Sequence, residues 1–186
     1  MIKKYFCMKL YKPLYSNKNI KKNRKRIGNE IFNSKKHKWD KENNEFYNKI
    51  CSKQTICILI EDKKDNIFGG YVHSKIDEDE WNIDRNTFIF SSKREGIINP
   101  KKFELKKDYN YGFCIGNNNS DILFSFGGKE WLFGWFRSYN DIVVFKNNSD
   151  KSNCCQQYAF DYNGKEHCLC GNDTFEIKKI IVFETN

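Results

Sequence analysis

The chain has 186 residues, of which 16% are aromatic and only two are proline, and its formal charge is +9. Its longest apolar runs, at residues 56–60 and 180–183, fall far short of the roughly 20 residues of a membrane-spanning helix; lysines interrupt residues 1–10, so no secretory signal is expected. Its eight cysteines therefore do not indicate an exported disulfide scaffold, and we expect reduced thiols in the cytoplasm or, alternatively, the nucleus.

The positive charge is concentrated at the N-terminus. Residues 1–28 contain ten Lys or Arg and no Asp or Glu, whereas residues 29–186 contain 23 basic and 24 acidic residues, a net charge of −1. Such a run of like charges cannot bury enough surface to offset the entropy of ordering it. We therefore expect a disordered basic arm over residues 1–28 and one domain over residues 29–186.

The densest part of this arm comprises Lys21, Lys22, Arg24, Lys25 and Arg26. Such a cluster can direct nuclear import, contact the phosphates of a nucleic acid, or lie on an anionic membrane surface. No aromatic residues are interleaved with the charges, so stacking on bases is not indicated. A passive soluble tail fits the composition equally well, and the sequence leaves these alternatives open.

The first element that we expect in the domain is a helix over residues 39–51. Asp40 is a suitable N-cap, and acidic residues follow it in the first turn. Phe46 and Ile50 are four residues apart and share one face of a helix. This face is expected to lie on a sheet.

The rest of the domain is typical of antiparallel β structure, because short aromatic and β-branched stretches alternate with polar turns. We expect strands at residues 55–62, 67–74, 87–91, 102–106, 111–115, 122–126, 141–145, 157–162 and 175–184. The first of these is apolar on both faces, as in a central strand. The last is expected to place Phe175, Ile177, Ile181 and Phe183 on one face. The predicted fold is mainly β (α+β), an antiparallel β-sandwich flanked by a few short helices.

Motifs in this order resemble the TLD (TLDc) domain family. They are Phe68-Gly69-Gly70-Tyr71, Trp81, Phe88-Ile89-Phe90-Ser91, Phe126-Gly127, the strand at residues 141–145, Leu169-Cys170-Gly171, Phe175-Glu176-Ile177 and the final strand at residues 181–184. The resemblance covers about residues 29–185. The composition, rich in Asn and Lys, is similar to that of amoebal members.

This resemblance implies a β-sandwich with a few helices, in a family generally regarded as non-enzymatic. Its members are linked to protection from oxidative stress, and several bind and regulate the vacuolar proton-pumping ATPase. It therefore implies a protein-interaction module with no catalytic residue, cofactor or metal. The motif residues would then be structural: Phe68, Gly69, Gly70, Tyr71, Trp81, Phe90, Ser91, Gly127 and Gly171.

The pair Gly69-Gly70 has two interpretations. It could let the backbone approach a ligand, or it could form a bulge or tight bend that allows close packing of a strand. We favour packing. No Gly-rich fingerprint that opens a helix follows, so a phosphate-binding loop is not expected.

Four cysteines could suggest a zinc site near His167. Paired zinc ligands are usually separated by two to four residues, but Cys154 and Cys155 are adjacent and Cys168 and Cys170 are separated by one residue. We therefore expect no metal. Cys168, beside His167, is the strongest candidate for a reactive thiol, although ordinary packing is favoured.

An unusually aromatic segment lies at residues 130–139. Trp131, Phe133 and Trp135 would share one face of a strand. They belong either to the core or to a partner contact, since Trp is enriched at interface hot spots. They are our candidate partner residues if that face is exposed.

Overall fold

Short apolar stretches become strands across most of the domain. The computed structural model describes residues 28–77, 82–128, 140–149 and 153–185. In chain order, the elements within these ranges are β1 (Asn29–Asn33), α1 (Glu45–Ile50), β2 (Ile56–Asp62), β3 (Ile67–Val72), β4 (Phe88–Arg94), β5 (Ile97–Glu104), β6 (Phe113–Ile115), β7 (Ile122–Phe126), β8 (Ile142–Phe145), β9 (Asn153–Cys154), β10 (Thr174–Phe175) and β11 (Ile177–Glu184).

The strands pair into two antiparallel sheets. The first sheet has the order β1-β11-β2-β3-β4-β5, and the second has the order β10-β9-β8-β7-β6. The last strand, β11, pairs with both β1 and β2, so the first and last described strands are neighbours in the first sheet. The prediction of an antiparallel β-sandwich is confirmed.

The main core lies between the two sheets. β2 contributes Ile56, Ile58 and Ile60, which alternate along the strand and are fully buried. β7 contributes Phe124 and Phe126 from the opposite sheet. Full burial of one such side chain stabilises the fold by about 1.5–3 kcal/mol, and this layer therefore holds the two sheets together.

The glycine pair in β3 allows close packing on two sides. At Gly70, an added Cβ would lie 2.4 Å from Cε1 and Cζ of Phe126. At Gly69, which has φ +155°, an added Cβ would lie 2.0 Å from the carbonyl oxygen of Ile58 in β2. A side chain at either position would have to push a neighbouring strand or ring away.

The other face of the first sheet carries a second buried apolar cluster, the outer cluster. It consists of Cys57, Leu59, Ile67, Tyr71, Phe88, Phe90 and Ile181, with Phe183 partly buried beside it. These residues alternate with those of the main core, because successive residues of a strand point to opposite faces. The first sheet is therefore apolar on both faces, as predicted for residues 55–62.

The helix is shorter than predicted. It spans Glu45–Ile50, and its N-cap is Asn44, whose side chain accepts a hydrogen bond from the backbone N–H of Tyr47 at 3.2 Å. The carboxylate of Asp40 instead accepts from two backbone N–H groups of the turn that follows, at 3.1 and 2.7 Å. Such a local turn competes with helix formation. No helix among the described residues is long and apolar enough to cross a membrane.

The predicted face of the last strand is wrong. A register shift between Ile177 and Lys179 inverts the alternation along β11. Ile177 packs against the main core, whereas Ile181 and Phe183 lie with the outer cluster. One extra residue has this effect because the side-chain period of a strand is two.

Two other strand predictions are also corrected. β5 begins at Ile97 rather than at residue 102, directly after a turn at Glu95-Gly96. Residues 157–162 form only one bridge, between Phe160 and Leu105. Their backbone N–H groups donate mainly to a buried carboxylate instead of to a neighbouring strand, as described below.

We expect Gly70→Ala to lower the free energy of unfolding by about 1–3 kcal/mol, because the new methyl group overlaps the ring of Phe126. Phe126→Leu should relieve part of this overlap, so the double variant should cost less than the sum of the single variants by at least about 0.5 kcal/mol. Urea unfolding measures both effects. Strict additivity of the Gly70 and Phe126 variants would contradict the close approach.

Candidate interaction surface

The edge strand β5 is the most exposed apolar part of the first sheet. Ile97 and Ile98 are 68% and 57% exposed, and β5 is the last strand in the sheet order. At its C-terminal end, the carbonyl oxygen of Glu104 accepts from the backbone N–H of Asp161 at 2.9 Å. Among the described residues, no strand pairs with the outer edge of β5, and such an edge beside exposed apolar side chains is a site where another chain can pair and dock.

A tight turn presents this edge. Glu95 and Gly96 both have positive φ, 51° and 81°, as in the two-residue turns that match the twist of a hairpin. The backbone N–H of Glu95 donates to Oδ1 of Asn66 at 2.8 Å. Asn66 is buried, and its Nδ2 donates to Oδ2 of Asp62 at 2.8 Å and to the carbonyl oxygen of Cys170 at 3.0 Å. Asn66 therefore fixes the hairpin tip against a neighbouring turn and a neighbouring loop.

Two clefts adjoin β5 and share Lys101. The smaller has a volume of about 110 Å³ and is lined by Ser91, Arg94, Glu95, Ile97, Asn99, Lys101 and Cys168. The larger has a volume of about 500 Å³ and is lined by Pro100, Lys101, Lys102, Phe103, Glu104, Asp161, Tyr162, Asn163 and Lys165. We call β5 together with the residues of these clefts the β5 surface. Its ionisable side chains are four basic and three acidic, so its charge is mixed.

A buried carboxylate holds the loop that forms one wall of the larger cleft. Oδ1 of Asp141 accepts from the backbone N–H groups of Tyr158 at 3.0 Å and Phe160 at 3.3 Å, and from the hydroxyl of Tyr162 at 2.8 Å. Oδ2 accepts from the backbone N–H of Ala159 at 2.7 Å. Asp141 thus fixes the loop as a turn around one side chain, which explains why residues 157–162 are not a strand.

The environment of Asp141 favours its neutral form. Burial raises the pKa of Asp141 to about 6, although its four hydrogen bonds act in the opposite direction. The side chain is fully buried, and its four hydrogen bonds are all to the loop. These hydrogen bonds give Asp141 a structural role.

Two of the family-motif glycines adopt left-handed backbone conformations. Gly127 has φ +73°, and an added Cβ would lie 2.1 Å from Oδ2 of Asp141. Gly171 has φ +81°, and an added Cβ would lie 3.3 Å from the carboxylate of Glu95. Residues other than glycine are disfavoured at such angles, so both positions are explained by the path of the chain.

The described motif side chains are buried. Phe68 lies in the main core, and Tyr71 and Phe90 lie in the outer cluster. The hydroxyl of Ser91 donates to the carbonyl oxygen of Leu169 at 3.4 Å. Of these four, Ser91 alone is among the residues that line the two clefts.

Several of the predicted site residues lie outside the described residues. They are the motif residue Trp81, the aromatic candidates Trp131, Phe133 and Trp135, and the arm residues Lys21, Lys22, Arg24, Lys25 and Arg26. Their predicted roles stay predictions.

The fold separates the paired cysteines. Cys155 is buried in the main core together with Cys168 and Cys170, whereas Cys154 is half-buried. The hydrogen bond between the thiols of Cys155 and Cys170 lowers the pKa of Cys170, whereas burial raises the pKa of Cys155 well above its ordinary value. The thiol of Cys155, held neutral in this way, is a poor nucleophile and metal ligand. In the part of the chain that the structure describes, no group of three His, Cys, Asp or Glu side chains could hold a metal ion.

The sequence analysis missed both the β5 surface and Asp141. A signal for the edge existed, because Pro100 lacks the N–H of a strand ladder and is typical of an edge strand. The residues next to Asp141 in the sequence do not indicate that it is buried, because its hydrogen-bond donors lie 17 to 21 residues later in the chain.

The sequence model of the TLDc domain family matches residues 2–186. The match thus begins well before β1 and includes most of the predicted basic arm. No curated protein matches the chain.

A pH-dependent stability difference should follow from the raised pKa of Asp141. The folded-state pKa of this carboxyl lies above its unfolded-state value, so between the two values the folded state binds more protons than the unfolded state. The free energy of unfolding therefore increases as pH falls through about 6. Relative to Asp141→Asn, the wild type should gain about 1 kcal/mol between about pH 7 and about pH 5. Urea unfolding at a series of pH values measures the difference. Asp161→Asn, which removes an exposed carboxylate from the same loop, is the control; a loss of wild-type stability relative to Asp141→Asn over this range would contradict the assignment.

Proposed function

The chain belongs to the TLDc domain family, and we propose that it is a non-catalytic protein-interaction module that docks on a protein complex through the β5 surface. The observation that carries this proposal is the outer edge of β5, which pairs with no strand in the part of the chain that the structure describes and where Ile97 and Ile98 are 68% and 57% exposed beside two clefts. Large apolar side chains in such a position favour the central contacts of an interface.

The partner that we propose is the vacuolar proton-pumping ATPase, in a role linked to oxidative-stress resistance. Support for this partner comes from the family resemblance. The β5 surface is suited to a large protein partner because an extended strand edge, apolar side chains and mixed charges lie side by side. A partner segment could add to the sheet by main-chain hydrogen bonds, while its side chains enter the clefts.

The placement of the perturbed ionisable groups supports a non-catalytic role. Enzymes concentrate groups with strongly shifted pKa values in clefts, where substrates reach them. Here burial raises the pKa values of Asp141 and Cys155, and both are enclosed by the core. Tyr162, which lines the larger cleft, also has a pKa raised well above its ordinary value by burial, and its hydroxyl donates to Asp141. The other ionisable side chains of the two clefts are mainly lysines and carboxylates.

We expect the double variant Ile97→Asp/Ile98→Asp to lose at least about 10-fold in recovery of its partner, because two charges replace the proposed apolar contacts. Affinity purification of the tagged chain from its native cell, with quantification of pump subunits, measures this loss. Ile83→Asp is the matched control, since Ile83 is 69% exposed but does not line either cleft. Equal recovery by all three chains would contradict the β5 surface as the contact. The absence of pump subunits under every nucleotide and glucose condition would contradict the proposed partner.

A second proposal is favoured by the basic arm, which contains ten Lys or Arg and no acidic residue over residues 1–28. In this alternative the arm binds a nucleic acid or an anionic membrane, with the phosphates as the contact. Binding to a duplex oligonucleotide or to phosphatidylserine vesicles should then weaken steeply as salt rises, since counterions compete for the same charges. Replacing Lys21, Lys22, Arg24, Lys25 and Arg26 by glutamine should remove this binding. Salt-insensitive binding that survives the replacement would contradict the alternative.

A further inference from the structure

Two cysteine thiols from different parts of the chain meet in the main core. Cys155 directly follows β9, and its backbone N–H donates to the carbonyl oxygen of Asp173 at 2.7 Å, which extends the pairing of β9 with β10 by one residue. The thiol of Cys170 donates to the carbonyl oxygen of Asn172, the residue before Asp173, at 2.9 Å. The two thiols therefore converge on the same strand end, and they hydrogen-bond to each other.

We propose that Cys155 and Cys170 form a redox-active dithiol, which a peroxide converts into an intramolecular disulfide. The two side chains are held together in the core of the reduced protein. Formation of the bond requires that their sulfur atoms close from hydrogen-bonding distance to the roughly 2.05 Å of a disulfide. No rearrangement of the two sheets is needed for this movement.

The thiol of Cys170 lies within a short loop of the surface. Asn172, whose carbonyl oxygen accepts from this thiol, is exposed, and Cys168 lines the smaller cleft. A loop without regular secondary structure opens locally at a lower free-energy cost than a core strand, and hydrogen peroxide is little larger than water. A small peroxide can therefore reach Cys170 while the sandwich stays folded.

The environments of the two thiols assign different roles to them. The hydrogen bond with Cys155 lowers the pKa of Cys170, whereas burial raises the pKa of Cys155 well above its ordinary value. The thiolate is the nucleophilic form of cysteine. Cys170 is therefore the thiol that attacks the peroxide, and Cys155 is the thiol that resolves the product.

The reaction balances with the peroxide as its co-reactant. The thiolate of Cys170 attacks one oxygen of hydrogen peroxide, the O–O bond breaks, the other oxygen leaves as water with the proton of the thiol, and Cys170 becomes a sulfenic acid. The sulfur of Cys155 then attacks the sulfur of Cys170, so the S–S bond forms and the S–O bond breaks. The hydroxide leaves as a second water with the proton of Cys155. The two thiols lose two electrons together, and the peroxide is reduced to water.

The neighbouring cysteines are not placed to compete for this bond. Cys154 is the last residue of β9 and precedes Cys155 in extended chain, where successive side chains point to opposite faces. Cys154 is only half-buried, in contrast to Cys155. The thiol of Cys168 donates to the carbonyl oxygen of Lys165 at 3.5 Å, back along its own loop. The fold therefore selects one pair from these four cysteines.

The disulfide would close the loop of residues 155–170. This loop contains Asp161, Tyr162, Asn163 and Lys165, which form one wall of the larger cleft. Closing a loop in this way constrains the unfolded chain and so stabilises the folded one. The inference does not rest on the proposed function, because it concerns thiols of the core and not the edge at β5.

A linkage map of the full-length chain tests the pairing. The reduced chain is treated with hydrogen peroxide, remaining thiols are blocked with N-ethylmaleimide in denaturant, and the unreduced tryptic peptides are fragmented in a mass spectrometer. Peptides 152–165 and 166–178 each contain two cysteines, so fragment ions must distinguish the linkages between them. We expect the linkage of Cys155 to Cys170 in at least about 10-fold excess over any other linkage of these peptides, because the fold holds this pair in contact.

The half-buried thiols of Cys51 and Cys114 are internal controls for the dose of peroxide. Cys155 and Cys170 that stay reduced after both control thiols are oxidised would overturn the proposal. Equal amounts of the alternative linkages through Cys154 or Cys168 would also overturn it. The map requires no substitution, so it decides the pairing even where a cysteine variant does not fold.

The matched variant Cys154→Ser/Cys168→Ser retains only the proposed pair in these two peptides. We expect it to form the disulfide at the rate of the wild type, and its urea midpoint to rise on oxidation and to return when dithiothreitol reduces the bond, since the closed loop constrains the unfolded chain. An oxidised chain with an unchanged or lower midpoint would contradict a disulfide that fits the fold.

Single serine variants test the assigned roles. Cys155→Ser should accumulate a sulfenic acid on Cys170, which dimedone added with denaturant traps and mass spectrometry detects. Cys170→Ser should leave Cys155 reduced, since burial keeps its thiol neutral. A dimedone adduct on Cys155 in Cys170→Ser that equals the adduct on Cys170 in Cys155→Ser would overturn the assignment of Cys170 as the attacking thiol.

Discussion

The burial of one sheet on both faces is the constraint on which the rest of this structure depends. β2 supplies Ile58 to the main core and Cys57 to the outer cluster, and its neighbours repeat this alternation. Such a sheet cannot present its faces to a partner without losing apolar contacts that stabilise the fold. Among the described strands, β1 and β5 form its two edges, and β5 carries the exposed isoleucines. The β5 surface is therefore a consequence of how the rest of the sheet is packed.

The sequence predicted those parts of the fold that depend on local alternation. The apolar stretch at residues 55–62 indicated a central strand, and β2 lies between β11 and β3 with both faces buried. The predictions failed at two places. In β11 one extra residue shifted the register, and at Asp40 a local turn formed in place of the first part of the predicted helix. The shift near Lys179 and the turn made by Asp40 depend on hydrogen-bond choices that hydropathy does not record.

The candidate site was less predictable because its parts are distant in sequence. Lys101 in β5 and Lys165 in a later loop line one cleft, and only the folded chain brings them together. Asp141 is a further example, since an aspartate before an apolar strand is usually exposed. Its burial follows from the loop that donates to it, and the stretch at residues 157–162 looks like a strand until those donors are assigned. Family motifs such as Gly70 could be recognised in the sequence, but the ring that they accommodate could not.

The pairing of β1 with β11 determines how this domain would respond to mechanical tension. Asn29 lies opposite Glu184, so a force applied between these two residues acts across neighbouring strands rather than along them. Because the inter-strand hydrogen bonds of an antiparallel pair are perpendicular to the strands, they would be loaded and broken one after another, as in a zipper. Strand β1 would thus separate from the sheet at low force, while the layer between the two sheets stays intact. A protein that carried this domain between two tethered neighbours would yield first at that strand.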